Sequence, residues 1–391
     1  MENNVITATM REVDQMVPTM LASAEGFQSL GLIGAPAMGK TMYFQTRFRE
    51  HMAHHYGVQI DDIGIVIEKI GQAEDAAAVN GLTLPSKLPD GTIATVKSKP
   101  SLQVRIEATG KDYGVLLLDE APQAGAHVVG SLGDTFNRAE HKIGDWHLPE
   151  GWVVVFTGNR VEDKSGSRQL PFHLITRCLL VNLLADTDGW VQWARDTGIN
   201  PVFVGFIESE ISNVSFADSV PKEYGPYLTP RSGVAAAAHL DAFMDSDGFD
   251  GQSIPPFMHK LIAMNIGPRA ASDFAEYMVT SGKVPMGSEI LEDPEGAMVP
   301  DDTGFQQLAA HRAMNITTNE READAALTYI VRLRPDLQVA LGAKLLRRSV
   351  RDGWTMTSPI ANAFISKFSE FLPLADEKAV KGKEVLEGGR A

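Results

Sequence analysis

The sequence predicts an α/β fold class, in which strands and helices alternate over residues 1–185 and helices follow over residues 186–391. Three observations carry this. Short apolar runs at 30–33, 63–67, 115–118, 152–156 and 179–184 have the length and continuity of strands buried on both faces. A glycine-bracketed loop, Gly34-Ala35-Pro36-Ala37-Met38-Gly39-Lys40-Thr41, joins the first run to a stretch free of Pro and Gly. Beyond residue 185 the apolar positions fall mainly at helical spacing.

Residues 1–28 hold an amphipathic stretch (Met10, Val13, Met16, Val17, Met20, Leu21) with Pro18 near its centre. A helix here either caps the sheet or packs over a bound nucleotide base. The loop that follows the first strand reads G-x-x-x-x-G-K-T, the pattern that cradles phosphates. Gly34 and Gly39 let the backbone curl so that successive N–H groups point inward, Lys40 can reach the β- and γ-phosphates of ATP, and the Thr41 hydroxyl is placed to ligate Mg²⁺. A helix is predicted from Lys40 to about His55, with Met42, Phe48 and Met52 as its apolar side. His51, His54 and His55 share that helix, and without a third ligand they read as a solvated face.

After the strand at 63–67, residues 71–112 form a long excursion rich in Gly, Pro, Ser, Thr and Lys, with a short hairpin expected near 92–96 and a strand near 102–106. Loops this long inside a compact domain tend to be functional. Lys87, Lys97, Lys99 and Lys111 make it locally basic. The run at 115–118 then drives into Asp119 and Glu120. Read alone, that pair fits a strand ending at a solvated acidic turn. Following the glycine loop, it fits a hydrolysis site in which Asp119 holds Mg²⁺ through its water shell and Glu120 polarises the attacking water. Residues 121–140 read as helical. The run at 152–156 leads into Thr157-Gly158-Asn159-Arg160, where the Asn159 amide is placed to sense a γ-phosphate. Arg177, before the last strand, and Arg231, at the start of a helical stretch, fit as cations reaching a neighbouring subunit's phosphate and the protomer's own, although each alone also fits a surface ion pair.

These residues in this order resemble the AAA+ ATPases, and within them the MoxR-like branch found in phages and prophages. Gly34 to Thr41 matches Walker A, Leu116 to Glu120 Walker B, Thr157 to Arg160 sensor 1, Leu170 to Arg177 the segment bearing the arginine finger, and Thr229 to Ser232 sensor 2. The resemblance spans roughly residues 25–285. It implies a five-stranded parallel sheet of order 5-1-4-3-2, an α-helical lid, and a ring, commonly of six, with ATP at each subunit boundary. The family often has Phe after the finger arginine; here that residue is Cys178, so Arg160 and Arg168 rival Arg177 for the role in trans.

The domains expected are a nucleotide-binding core over 1–185, a helical lid with sensor 2 over 186–285, and a helical extension over 286–391. The lid helices are read at 190–195, 202–211, 234–244, 257–264 and 270–278, with a loop at 246–256. An acidic linker at 285–300 precedes helices at 305–314, 319–334, 337–352 and 360–372, and the tail after 376 is expected to fray. Lys344, Arg347, Arg348 and Arg351 fall on one face of a helix, a solvated stripe or a grip for nucleic acid or an acidic partner.

The formal net charge of −15 argues against general electrostatic binding of nucleic acid. A single cysteine excludes a disulfide framework, and no apolar run approaches the length of a membrane span. Cytoplasmic residence is expected, in the host if the gene is viral. The reading is a Mg²⁺-dependent ATPase, a homo-oligomer that remodels a protein client. The resemblance implies a partner carrying a von Willebrand A domain. The alternative is a motor or loader acting on nucleic acid in phage replication or packaging; a slow scaffold that assembles on ATP is a third class. No L-S-G-G-Q-like signature supports an ABC-type enzyme.

Overall fold

The computed structural model describes residues 5–368, except 25, 74, 88, 164, 209–215, 217, 245–253, 281–283, 355 and 357. The chain forms two compact units. One comprises the described residues of 1–186 and 217–222, the other those of 187–216 and 223–368.

The first unit is built on a six-stranded sheet: β1 Ile6–Ala8, β2 Ser29–Gly34, β3 Ile63–Lys69, β4 Tyr113–Asp119, β5 Gly151–Gly158 and β6 Cys178–Leu183. All five pairings are parallel, in the order β1-β6-β2-β5-β4-β3. Strand count and order therefore differ from the five-stranded expectation. The addition is β1, which lies against Val181–Leu183 at the β6 edge. It is three residues long and buries only Ala8, so no apolar run announces it. Without it the order is β6-β2-β5-β4-β3. The central strands are sealed on both faces: Val115 to Leu118 are all 0% exposed, which is why they read as an unbroken apolar run.

One face of the sheet is covered by α1 Met10–Leu21, α2 Lys40–Gln45 and α3 Arg47–Tyr56, through Val13, Val17, Phe44, Phe48 and Met52. Thr9 and Glu12 close a capping box on α1. The single helix expected from Lys40 to about His55 is instead broken at Thr46, with φ −119° and ψ −90°. The Thr46 hydroxyl donates to the Met42 carbonyl at 2.9 Å, the back-bond that bends helices.

The other face packs against α4 Ser101–Thr109 and the short helices Ala126–Ser131 and Gly133–Phe136, through Leu102, Ile106, Val128, Phe136 and Trp152. The strand expected near 102–106 is thus a helix. Leu102, Val104 and Ile106 alternate like a strand, but Val104 is 51% exposed while Leu102 and Ile106, four apart, are buried. The hairpin is wider than expected. Thr83–Lys87 pairs with Ile93–Lys97, and both strands are largely exposed.

The second unit is helical: α5 Thr187–Asp196, α6 Pro201–Glu208, α7 Pro230–Met244, α8 Pro256–Ile266, α9 Pro268–Thr280, α10 Gly287–Glu292, α11 Thr303–Asn315, α12 Glu320–Ile330, α13 Pro335–Arg351 and α14 Pro359–Phe368. It contains the stretch read as a lid and the stretch read as an extension. Its centre is α11, buried nearly all round, with Gln306, Gln307, His311 and Arg312 enclosed beside its apolar residues. The stretch read as a linker at 285–300 contains α10, whose Ile290 is fully buried; six residues are too few for a periodic signal.

The basic stripe on α13 is not simply a solvated face. Arg348 donates to the Met314 and Thr317 carbonyls at 2.6 and 3.3 Å, pairs with Asp352 at 3.2 Å and lies over the Trp354 ring. Lys344 is half-buried near Asp241. The side chain of Arg351, residues 209–211 and 369–372, and the tail after 376 lie outside the described residues, as does most of the loop read at 246–256.

Candidate phosphate-binding and hydrolysis site

The glycine loop leaves β2 at Gly34 and enters α2 at Lys40. Two of its residues are left-handed, Ala37 at φ 65° and Gly39 at φ 82°. Alternating right- and left-handed backbone turns successive N–H groups to one side and makes an anion-binding concavity. Ala37 adopts this conformation at a cost of about 1 kcal/mol. Gly34 is needed for packing, since a Cβ there would lie 2.9 Å from the Leu183 carbonyl oxygen.

Lys40 is only 7% exposed, so its charge must be met by partners. Its Nζ donates to the Gly34 and Ala35 carbonyls at 2.9 and 2.7 Å and to Asn159 Oδ1 at 3.2 Å. Strand β5 lies between β2 and β4, which brings Asn159, just past its tip, to the loop. The Thr41 hydroxyl sits 3.2 and 3.3 Å from the two Asp119 carboxylate oxygens. The Thr157 hydroxyl also donates to Asp119. Lys40, Thr41, Asp119 and Asn159, from three different elements, thus meet around one loop.

Glu120 follows Asp119 with a left-handed backbone, φ 61°, at the start of the turn Ala121–Gln123. Strain of this kind persists where the surroundings over-determine it. Here two glycines make the room. A Cβ at Gly71 would lie 2.9 Å from Glu120 Cβ, and one at Gly158 would lie 2.3 Å from Pro122 Cδ. The turn is also held by Arg168 N–H to the Pro122 carbonyl at 2.7 Å and by the Gln123 side-chain amide to the Ser165 carbonyl at 3.2 Å. The Glu120 carboxylate makes no hydrogen bond among the described residues.

Within the first unit, Arg177 and Arg160 are held by partners of their own. Arg177 is half-buried and donates to the Gly133 carbonyl at 2.8 Å. Arg160 is folded onto Asp163. Arg168 is exposed. Arg231 is exposed on the first turn of α7, in the second unit, where Thr229 and Ser232 exchange capping hydrogen bonds.

Sequence reasoning passed over Thr157, Gly71 and the hub at Asp14. Thr157 carried a signal, because it is the polar residue that ends the apolar run at 152–156, two before Asn159. Gly71 carried none. Asp14, on α1, accepts from His51 at 2.8 Å, Arg47 at 3.0 Å and Tyr43 at 3.2 Å, and so ties α1 to the helices that follow the loop. Burial pushes the Asp14 carboxyl up, but the His51 and Arg47 hydrogen bonds outweigh it and hold it below its ordinary range. His51 is therefore an inward partner, while His54 and His55 are exposed as expected.

The Thr41 and Asp119 oxygens form a hard donor pair of the kind Mg²⁺ takes when it keeps most of its waters and shares phosphate oxygens. No helix among the described residues is long and apolar enough to cross a membrane.

No protein-family model and no curated protein sequence matches this chain. Solved structures are similar to it in part. Domain III of the Thermotoga maritima replication initiation protein DnaA has 13% identity and a TM-score of 0.35 over 71% of this chain and 95% of that one. A candidate ATPase of Cytophaga hutchinsonii has 14% identity and a TM-score of 0.30 over 92% and 81%. Hsp104 in a closed state with ATPγS and FITC-casein has 14% identity and a TM-score of 0.32 over 58% and 39%. Scores this low assign no function.

Proposed function

We propose that the chain is a Mg²⁺-dependent AAA+ ATPase of the MoxR-like kind, working in the cytoplasm as a homo-oligomeric ring that remodels a protein client. The supporting observation is the convergence of Lys40, Thr41, Asp119 and Asn159 on the glycine loop. Backbone N–H groups from Gly34 to Thr41 cradle the phosphates. Lys40 exchanges its carbonyl partners for β- and γ-phosphate oxygens. Thr41 and Asp119 would hold Mg²⁺, which when bound neutralises charge on the transferring phosphoryl group. Glu120, whose carboxylate has no competing partner among the described residues, polarises the attacking water, and Asn159 orients it against the γ-phosphate. In-line displacement asks little covalent chemistry of the protein, so positioning and charge carry the rate.

Arg231 in cis and Arg177 in trans complete the charge balance in this proposal. The ring, its six-fold count, the von Willebrand A client and a phage or prophage origin rest on the motif resemblance alone. The charge pattern supports a protein client over nucleic acid. Lys97, Lys99 and Lys111 of the basic excursion are paired with Asp145, Glu107 and Asp62.

The test is steady-state ATP hydrolysis by the full chain with Mg²⁺. Glu120→Gln is expected to keep ATP binding and lose turnover by about 100-fold or more. A variant that hydrolyses at the parent rate would refute the assignment.

A further inference from the structure

The geometry points to Arg160 as a positioning residue that acts within its own protomer, holding Asn159 in place for hydrolysis rather than reaching a neighbouring copy. This rests on the ATPase reading above. Strand β5 ends at Gly158, so the direction of the Asn159 side chain depends on what fixes the backbone after it. Arg160 supplies that fixture. Its backbone N–H and its Nε both donate to Asp163 Oδ2, at 2.9 and 3.1 Å, and its Nη2 donates to Oδ1 at 2.9 Å. The turn Val161–Asp163 is thereby closed by a two-pronged ion pair, the strong geometry for arginine and carboxylate. The Asp163 side chain is 0% exposed and that of Arg160 10%, with Glu162 adding charge at 3.7 Å.

The same guanidinium also donates to the Asp218 carbonyl. Asp218 Oδ1 in turn accepts from the Ala185 N–H at 2.6 Å, just past β6. Strands β5 and β6 flank β2, which carries the phosphate loop. Asp218 therefore bridges the ends of the two strands on either side of that loop, and Arg160 is its link on the β5 side. Asn159 sits between Lys40 Nζ, 3.2 Å in front, and this frame behind. A swing of Arg160 toward another subunit would strip a fully buried carboxylate of its partner, which contacts at an exposed rim do not offset.

The experiment uses the full chain with Mg·ATP. Arg160→Ala and Asp163→Asn are each expected to lower kcat about 10- to 100-fold, the effect of letting a catalytic group drift by about 1 Å, while nucleotide Kd stays within about threefold. Mixing Arg160→Ala with Glu120→Gln separates cis from trans. An arginine acting in cis leaves the mixture no more active than its Arg160→Ala component. One acting in trans restores turnover, because Glu120→Gln subunits would lend their Arg160 to intact sites, and that would overturn the inference. Should Arg160→Ala lose its folded signal, Asp163→Asn, which keeps the size of the side chain, carries the test; parent-like kcat in that variant would also overturn it. A parent chain with no ATP turnover overturns the ATPase reading together with this inference. An active parent matched by an equally active Arg160→Ala overturns the positioning role alone.

Discussion

Gly158→Ala is a one-carbon change whose effect can be worked from the packing. The added Cβ would lie 2.3 Å from Pro122 Cδ, 2.4 Å from Pro122 Cγ and 3.1 Å from Ile33 Cδ1. Carbon contacts settle at about 3.5–4.0 Å, so more than 1 Å must be found. Gly158 cannot supply it, because it is in register with Ile33 across the β2–β5 pair. The Pro122 ring is rigid, so the turn itself must move, and that turn begins at Glu120. Its retreat is limited, since the Pro122 carbonyl is bonded to Arg168 N–H at 2.7 Å and Gly71 packs close to Glu120. Overpacking of this kind costs about 1–3 kcal/mol, and a unit of this size loses about 2–4 °C in Tm per kcal/mol. Displacing Glu120 by about 1 Å lowers kcat by about 100-fold. The Lys40 and Thr41 contacts are untouched, so ATP binding is expected to persist. Steady-state hydrolysis, calorimetric ATP binding and a thermal melt read all three. Parent-like kcat with an unchanged Tm would refute the reasoning, and equal loss of binding and turnover would show general damage instead.

Thr157→Val removes one of the two hydroxyls on Asp119. A hydrogen bond to a charged group contributes about 1.5–3 kcal/mol, so turnover at fixed Mg²⁺ is expected to fall at least about 10-fold, with more Mg²⁺ needed for half-saturation; an unchanged Mg²⁺ titration would count against the assignment. Burial lowers the His311 imidazole to about 4. An unfolded histidine titrates near about 6.5, so between these values the unfolded chain binds the proton and the folded chain does not. Stability is therefore expected to fall as pH drops from about 6.5 toward 4, by up to about 3 kcal/mol from this group. His311→Leu should flatten the pH profile of the thermal midpoint, whereas a profile parallel to the parent's would contradict the burial argument. Arg348→Ala leaves the Met314 and Thr317 carbonyls without their guanidinium partner and is expected to cost about 2 kcal/mol with no change in retention on DNA. Weakened DNA retention in a chain of parent stability would restore the stripe as a binding face.

What could be read from the sequence follows from where each residue finds its partners. The central strands are apolar throughout because both faces are covered, and their polar termini mark the edge where Asp119 and Asn159 lie. The glycine loop is local chemistry, set by Gly34 and Gly39. The rest was hidden because its causes are distant in sequence. Strand β1 is defined by its pairing with residues 181–183, and the Asp14 hub by side chains on two later helices. The break at Thr46 needs a side-chain back-bond that no apolar period reports. Leu102-Gln103-Val104-Arg105-Ile106 fits both periods, and only the covering of Leu102 and Ile106 decides for the helix. Arg348 fell on a basic face by spacing, yet its donors close the end of α11, 34 positions away in the chain.

The central claim is that this loop and its partners bind Mg·ATP through Lys40. Calorimetric titration of the full chain against Lys40→Met tests it most directly. Saturable binding of Mg·ATP by the parent, lost by about 100-fold or more on removal of the ammonium, is the expected result. Equal affinity in both proteins, or no binding by a folded parent, would contradict it.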